Sequence, residues 1–424
     1  MAVQLCIFED IHVSQFFPLI YFRPVYNLRC GMFSLREKII RAYPTAKVSI
    51  HCRTYLADYM RLRNPELVVN DIPAGECLFV NGRVVADDAM AKRIPLKRTS
   101  DVVYAHGNQV IAAHVSGSNL RRLKKALTGQ LSLADFDGIP VEETDVETVS
   151  FPWEIVHKNG PQIVKDFELL VRRRRKARSI RGKVLSGAHL LGKDNILLEH
   201  GAVVRPGSVI DAEEGPVYIG TGATVFPQST IIGPVCIWDG SLIKVGAQIY
   251  ENTTIGPVCK VGGEVEGSII HGYSNKQHAG FLGHSYIGSW VNLGAGTNNS
   301  DLKNNYGTVK VTLGSEQIDT GLQFVGLTMG DHSKSAINSM FNTGTVVGAC
   351  SNIFGFGFPP KYVPSFSWGA AGETFTTYAI EKAIDVARRV MARRKIELTA
   401  TEAKLFRKVF DLTSEERRRR GMPG

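Results

Sequence analysis

Two histidines, an asparagine and several small residues stand close together in the second half of the chain. The segment NKQHAGFLGHSYIGSWVNLGAGT, residues 275–297, places His278 six residues before His284, and Asn292 comes just before a Gly-Ala-Gly. A histidine has an ordinary pKa near neutrality, so it can act as a general base, and it can also bind a metal ion. It can equally be a structural side chain, so the backbone that positions these residues decides between the interpretations.

The chain around this segment repeats with a period of six residues. A branched aliphatic residue recurs at consecutive sixth positions, namely Ile219, Val225, Ile231, Ile237, Ile243, Ile249, Ile255 and Val261. This period is typical of a parallel β-helix, in which residues ~18 apart stack at about 4.8 Å. A sandwich or a barrel would instead alternate with a period of two. We therefore expect a β-helix with these side chains inside and glycines at its corners.

The first half of the chain has the pattern of an α/β domain. Apolar runs such as QLCIFED, AKVSIHC and CLFVNG alternate with helical segments such as SLREKIIRAYP and SNLRRLKKALTG. PQIVKDFELLVRRRRKARS predicts an amphipathic connecting helix, and Thr399 with Glu402 form a capping-box pattern near the end of the chain. The predicted division is 1–150 for the α/β domain, 151–183 for a linker with a basic helix, 184–360 for the β-helix and 361–424 for a helical tail that caps its open end.

Composition limits the kind of protein and its partners. The 424 residues are 44% hydrophobic and 21% charged, with a formal net charge of +10 and a pI near 9.2. We expect no membrane helix and no export signal, and the seven scattered cysteines favour a cytoplasmic protein. The positive charge favours acidic partners such as phosphorylated metabolites. The basic runs at 172–181 and 417–420 lack interleaved aromatic residues, which does not favour nucleic acid as a partner.

The segment HAGFLGHSYIGSWVNLGAGT resembles the signature of a known acetyltransferase domain. That domain is the left-handed β-helix of the bifunctional UDP-N-acetylglucosamine diphosphorylase/glucosamine-1-phosphate N-acetyltransferase family, and the resemblance extends over residues 184–356. It implies that His278 is the general base and that Asn292 contacts the sugar. It further implies that the main-chain N–H groups of Ala295 and Gly296 lie near the thioester of acetyl-CoA, in a homotrimer.

Some positions depart from the pattern of that family. Phe281 stands where the family has a tyrosine, Glu266 where it has a lysine, and Asp301 where it has an asparagine. Positive charges that could compensate are available at Lys276, Lys303 and Lys310. The predicted substrate contacts are Asn292, Phe281, Asp301 and Lys276.

The N-terminal half resembles the sugar nucleotidyltransferase domain of a divergent bacterial branch of the same family. The matching segments are FED (8–10), PLIYFRPVYNLRCG (18–31) and PWEIVHKNG (152–160). IFEDIHVSQFFPL lacks the glycine-rich loop that cradles phosphates in that family, so Arg23 and Arg29 are the predicted nucleotide-binding residues. Mg²⁺ would bridge the nucleotide phosphates if this domain is active, and its ligands are not identifiable from the sequence.

The predicted function is therefore acetyl-CoA-dependent N-acetylation of an amino-sugar 1-phosphate in nucleotide-sugar biosynthesis. Nucleotidyl transfer to a sugar 1-phosphate would accompany it if the first domain is active. Three alternatives stay open: a non-catalytic scaffold with a degenerate nucleotide-binding domain, a nucleic-acid-binding protein, and a carbonic-anhydrase-like zinc site. The histidines available for such a zinc site are His271, His278, His284 and His332.

Overall fold

A mixed β-sheet organises the N-terminal domain of the computed structural model, which describes residues 4–72, 75–174, 179–371 and 374–422. Its central strand, Gln4–Phe8, pairs in parallel with a neighbour on each side and is buried on both faces. In spatial order the strands are Val68–Val69, Lys47–Ile50, Gln4–Phe8, Glu76–Asn81, Gln109–Ser116, Val102–His106 and Val141–Glu143. The predicted α/β domain is confirmed.

Helices surround this sheet, connect the two halves of the chain and form its end. The α-helices of the described residues are α1 (Leu35–Ala42), α2 (Ala57–Arg63), α3 (Met90–Arg93), α4 (Gly117–Ala126), α5 (Pro152–Arg174), α6 (Ile380–Ala392), α7 (Ala400–Leu412) and α8 (Ser414–Arg419). Short 3-10 helices lie at Ile11–Phe16, Val25–Asn27, Thr54–Leu56, Leu133–Phe136 and Lys193–Asn195. The predicted capping box of Thr399 and Glu402 opens α7. The predicted basic run begins in α5, but its residues 175–178 lie outside the described residues.

Three sheets of parallel strands form the walls of the β-helix. Wall A contains Lys183–Val184, Val203–Val204, Thr224–Val225, Leu242–Ile243, Lys260–Val261 and Asn275–Lys276. Wall B contains His189–Leu191, Val209–Asp211, Thr230–Ile232, Gln248–Ile249, Glu264–Glu266 and Phe281–Gly283. Wall C contains Ile196–Leu198, Val217–Ile219, Val235–Ile237, Thr253–Ile255, Ile269–Gly272, Tyr286–Ser289, Thr328–Met329, Val346–Val347 and Tyr362–Val363. Ile219, Ile237 and Ile255 are paired in register inside, so the hexapeptide prediction is confirmed.

The later coils are interrupted once and then continue. A two-stranded hairpin, Lys310–Leu313 with Glu316–Asp319, projects from the β-helix and packs beside Trp153 at the start of α5. Wall A resumes with Lys334–Ser335, Asn352–Gly355 and Ser367–Ala371, and Thr376–Thr377 pairs antiparallel with the last of these strands. Wall B resumes with Asn298–Asn299 and Met340–Phe341. Strands of the β-helix therefore extend beyond residue 360, where the sequence had placed the start of the tail.

The tail packs mainly between the two domains instead of over the open end of the β-helix. Helix α7 contacts α2, and the rings of Phe406 and Phe22 lie 4.7 Å apart. Only the last residues act as the predicted cap, because Met422 joins the apolar interior of the β-helix and Arg417 donates to the carbonyl oxygen of Ser365. Across the residues that the structure describes, no helix has the length and apolar character needed to cross a membrane.

Wall C is the surface on which the N-terminal domain docks. The Arg29 N–H donates to the Tyr286 hydroxyl at 2.8 Å, and the Trp238 indole N–H donates to the carbonyl oxygen of Met32 at 2.8 Å. Buried side chains of both domains form one continuous apolar cluster. The corner between walls A and B, termed the A–B corner, lies opposite wall C and away from this interface.

Candidate functional site

His278 lies at the A–B corner with its side chain exposed. The Gly296 N–H donates to the carbonyl oxygen of Ala279 at 3.0 Å, so His278 lies beside Ala295 of the next coil. The paired strands of the preceding coil place Gly263 on its other side. Both neighbours are small, and the imidazole makes no hydrogen bond to the part of the chain that is described. The ring is therefore open to a substrate from outside the coil.

The two predicted main-chain donors differ in availability. The Gly296 N–H is occupied by Ala279, whereas the Ala295 N–H has no partner within the described ranges. Gly296 has a φ of +69°, and a Cβ there would collide with the side-chain oxygen of Asn338. Of the predicted pair, only Ala295 thus offers a free donor, while Gly296 is required for the shape of the corner.

Asn292 lies on the outer surface of wall A in a short chain of hydrogen bonds. The Asn275 amide donates to the Asn292 side-chain oxygen at 3.4 Å, and Arg394 donates to the Asn275 side-chain oxygen at 3.0 Å. Partial burial, with the nearby charges of Arg394 and Lys244, lowers the pKa of Lys260. Wall A beside the corner is therefore basic, with one positive charge supplied by the C-terminal tail.

Lys276 is directed into the β-helix instead of toward a substrate. Its ammonium donates to the carbonyl oxygens of Gly262 at 2.8 Å, His278 at 3.1 Å and Gly280 at 2.5 Å. Burial lowers its pKa to about 8. All three N–H groups of the ammonium are used within the β-helix, so Lys276 does not face the position of the predicted sugar-phosphate contact. It instead holds the corner that carries His278.

Phe281 and Asp301 meet on the wall B side of the corner. The Asp301 carboxylate accepts a hydrogen bond from His284 Nδ1 at 2.8 Å. Gly283 lies under the Phe281 ring and beside this carboxylate, with no space there for a Cβ. The sequence left the role of His284 open, and the structure makes it one half of a histidine–carboxylate pair.

His157 is a member of this cluster that the sequence analysis did not single out. It comes from α5, donates through Nε2 to the carbonyl oxygen of Phe324 at 2.7 Å, and its ring lies 5.6 Å from that of His284. Burial lowers the pKa of His157 and raises that of Glu266. No local signal marks His157, because its neighbours come from a distant part of the chain.

Arg23 and Arg29, the predicted nucleotide-binding residues, both face the β-helix. Arg23 donates to the Asp331 carboxylate at 2.9 and 2.5 Å and to the Ser289 hydroxyl at 3.0 Å. Arg29 donates through Nε to the carbonyl oxygen of His271 at 3.2 Å. The structure thus places these arginines at the domain interface and gives each a partner in the second domain.

The carboxyl ends of the central strands hold buried ion pairs instead of free carboxylates. Glu9 accepts from Arg53 at 3.0 and 3.1 Å, and Asp10 accepts from Arg83 at 2.6 Å and from Asn81 at 2.9 Å. Carboxylates neutralised in this way do not fit the oxygen cage that Mg²⁺ prefers. Within the described ranges, no three His, Cys, Asp or Glu side chains of this chain are grouped so as to hold a metal ion.

Comparison with known proteins finds matches to parts of the chain. Residues 5–175 match the family model described as sugar nucleotidyl transferase. The bifunctional protein GlmU of Trichormus variabilis is 30% identical over 111 residues, which cover 26% of this chain and 23% of that protein. The bifunctional sugar-1-phosphate nucleotidylyltransferase/acetyltransferase of Sulfurisphaera tokodaii is 33% identical over 91 residues, covering 22% and 23% of the two chains. The matches thus span about a quarter of the length of these curated relatives.

Two solved structures match parts of this chain at low similarity. The UDP-N-acetylglucosamine acyltransferase of Francisella novicida has 14% identity and a TM-score of 0.25, covering 56% of this chain and 85% of that one. The acetyltransferase domain of PglB from Neisseria gonorrhoeae, solved with acetyl coenzyme A, has 11% identity and a TM-score of 0.15, covering 56% and 78%. Residues 5–175 thus match the sugar nucleotidyl transferase family, and the chain is similar to GlmU proteins over about a quarter of its length, with hexapeptide coils that form a left-handed β-helix.

Proposed function

We propose that this protein transfers the acetyl group of acetyl-CoA to the amino group of an amino-sugar 1-phosphate at the A–B corner. The observation that carries the proposal is the stacking of two motifs on successive coils. HAGFLG and NLGAGT place an exposed histidine beside a main-chain N–H that has no partner among the described residues. A base and an oxyanion donor are the groups that acyl transfer to an amine requires.

The residues at the corner have separate roles in the proposed reaction. The amine attacks the thioester carbonyl carbon, and His278 accepts the proton that the amine loses as the C–N bond forms. The Ala295 N–H donates to the oxyanion of the tetrahedral intermediate. The C–S bond then breaks, the carbonyl re-forms, and the CoA thiolate leaves and takes up the proton held by His278. Asn292 binds a sugar hydroxyl through its amide.

The charges around the corner support an orientation for the sugar phosphate. Lys244, Lys260 and Arg394 make the wall A side positive, whereas Glu264 and Glu266 lie on wall B. A phosphate is attracted to the basic side, and the ammonium form of the amine is attracted to the acidic side. The amine would then approach His278, which lies between the two.

A homotrimer and a cytoplasmic location complete the proposal. Ile337 and Phe356 are large apolar side chains near the same edge of the β-helix, with 69% and 96% of their surface exposed. A neighbouring copy would cover them and enclose the CoA arm. All seven cysteines are free and buried, which is consistent with a reducing compartment.

Nucleotidyl transfer to a sugar 1-phosphate is the second candidate function, and the family match over residues 5–175 favours it. Glu9 and Asp10 are bound to arginines, so no step is assigned to them. The test is release of pyrophosphate from nucleoside triphosphates in the presence of sugar 1-phosphates and Mg²⁺. Release that requires both substrates would establish this activity, and no release with any pair would reject it.

The acetyl-transfer proposal is tested by thiol release from acetyl-CoA with a panel of amino-sugar 1-phosphates. Replacing His278 by alanine is expected to lower turnover by about 10²- to 10⁴-fold, the usual contribution of a general base. His189→Ala is a matched control, because His189 is also an exposed histidine of the β-helix but belongs to its first coil, several coils away from His278. Equal turnover in both variants, or no turnover by the folded wild-type chain, would contradict the proposal.

A further inference from the structure

A cavity lies between the domains, at the corner where walls C and A meet. Its volume is about 400 Å³, within the range of small-ligand pockets. The N-terminal domain contributes α1 and α2 to its walls, the β-helix contributes its corner, and the tail contributes α7. The cavity therefore exists only when the domains and the tail are docked, and it is separate from the A–B corner.

The β-helix side of this cavity is an aromatic ladder in an unusual backbone conformation. Tyr273, Trp290 and His332 occupy the same corner of successive coils, with φ values of +57°, +62° and +61°. The rings of Tyr273 and Trp290 stack at 4.5 Å, and those of Trp290 and His332 lie 6.1 Å apart. The same corner has positive φ in other coils, at Gly240, Val258, Cys350 and Phe366, so this conformation belongs to the β-helix corner, and what distinguishes the cavity is the stack of rings placed on it. Asparagine or glycine would form the same corner without the strain that positive φ imposes on bulky residues.

The lining of the cavity carries four arginines and three carboxylates, so positive charge is in excess by one. The carboxylate of Glu37 caps α1 by accepting from the Ser34 N–H. Arg63 pairs with Glu402, and Arg23 pairs with Asp331. Arg29 and Arg36 form no ion pair with any described residue. Arg36 donates through one nitrogen to the Asn64 side-chain oxygen at 2.8 Å, and Arg29 donates to main-chain carbonyl oxygens. Both keep N–H groups that could form a fork for a phosphate.

Two buried polar atoms on residues that line the cavity have no hydrogen-bond partner within the described residues. They are the side-chain oxygen of Asn27 and Nδ1 of His332. His332 is only 7% exposed, and burial lowers its pKa well below the usual value, so the ring is neutral. Neither atom has accessible surface within the cavity, and a buried unpaired polar atom costs about 1–3 kcal/mol. Turning either side chain toward a ligand hydroxyl would recover this cost.

From the cavity, the unpaired arginines, the unsatisfied polar atoms and the aromatic corner, we propose that the domain interface binds a phosphorylated sugar. The phosphate lies between Arg29 and Arg36, and two sugar hydroxyls complete the hydrogen bonding of Asn27 and His332. The sugar ring packs beside Trp290. Because the ligand contacts both domains, its binding strengthens their docking. This proposal is independent of acetyl transfer, since none of these residues is placed at the A–B corner.

Calorimetric titration of the full chain with glucose 1-phosphate tests the proposal without any turnover. Arg36→Ala is expected to weaken binding by about tenfold or more, the loss that follows removal of a charge-assisted hydrogen bond. Arg61→Ala is the control, because Arg61 on α2 carries the same charge outside the cavity, where it pairs with Asp58. It is expected to leave the affinity within about twofold of wild type, as a surface pair contributes little.

A second variant keeps the result interpretable if Arg36→Ala is poorly folded. Trp290→Asn preserves the positive φ of the corner but removes the ring, so it is expected to fold and to bind glucose 1-phosphate more weakly. Inorganic phosphate is expected to bind more weakly than the sugar phosphate, since it lacks the hydroxyls. Wild-type affinity in both variants, or no binding by the wild-type chain, would overturn the site. Equal affinity for inorganic phosphate would overturn its specificity for a sugar.

Discussion

The ion pair between Arg23 and Asp331 gives the sharpest test of how the two domains are held together. The two side chains are 9% and 4% exposed, and they share two hydrogen bonds at 2.9 and 2.5 Å. Asp331 also accepts the Ser289 N–H at 2.9 Å. Asp331→Ala would leave a buried guanidinium without a counter-charge, which costs about 3–5 kcal/mol.

Urea unfolding followed by tryptophan fluorescence, to which Trp238 at the domain interface contributes, measures this loss. With a denaturant slope of about 3 kcal/mol per molar, the midpoint of Asp331→Ala should fall by about 1–2 M. The matched control is Asp385→Ala, which breaks an exposed pair with Arg389 and should cost no more than about 1 kcal/mol.

A double variant separates the lost charge partner from the lost packing. Arg23→Met combined with Asp331→Leu removes both buried charges and fills the space with apolar atoms, so it should recover most of the lost stability. If the free energy of unfolding of Asp331→Ala lay within about 0.5 kcal/mol of that of Asp385→Ala, the ion pair could not be what holds the domains together.

Three further predictions concern the corners of the β-helix. Gly280 and Gly246 both have positive φ, but only at residue 280 would a Cβ meet a carbonyl oxygen of the next coil. Gly280→Ala should therefore cost about 1–3 kcal/mol more in chemical unfolding than Gly246→Ala, and equal losses would refute this. Burial lowers the pKa of Lys276 from 10.5 to about 8, so between these pH values the unfolded chain holds more protons. The stability of the wild type should therefore rise by about 3 kcal/mol relative to Lys276→Met as pH increases over that range, and a constant difference would show that the ammonium stays charged in the fold. Val258→Asn relieves a positive φ of 58° and should raise thermal stability by about 1 kcal/mol, whereas Val245→Asn, at an exposed corner without positive φ, should not.

The β-helix was predictable because its periodicity is local. Each hexapeptide supplies one interior side chain and one corner, so the series from Ile219 to Val261 fixes the walls without knowledge of the rest of the chain. The same periodicity brought His278 and Ala295 to one corner. It also put Lys276 at an interior position of wall A, but the resemblance to the family suggested a surface role for this lysine.

The contacts between domains were not predictable from these patterns. Arg23 lies in a segment with no regular period, and its partner Asp331 is 308 residues away. Arg394 reaches Asn275 only because the tail docks on wall A. His157 likewise reaches His284 only because α5 docks on the β-helix. Nothing in the local sequence marks these residues, since a long-range contact is decided by the complementarity of two finished surfaces.

The interdomain contacts also have a consequence for biosynthesis. Tyr21 donates to the Glu416 carboxylate and Arg23 pairs with Asp331, so the segment that follows the first strand has its partners near the opposite end of the chain. At a synthesis rate of about 5–20 residues per second, that segment leaves the ribosome tens of seconds before those partners. We expect it to stay sensitive to limited proteolysis on ribosome-bound chains until the tail emerges. The domain that is synthesised first is thus the one completed last.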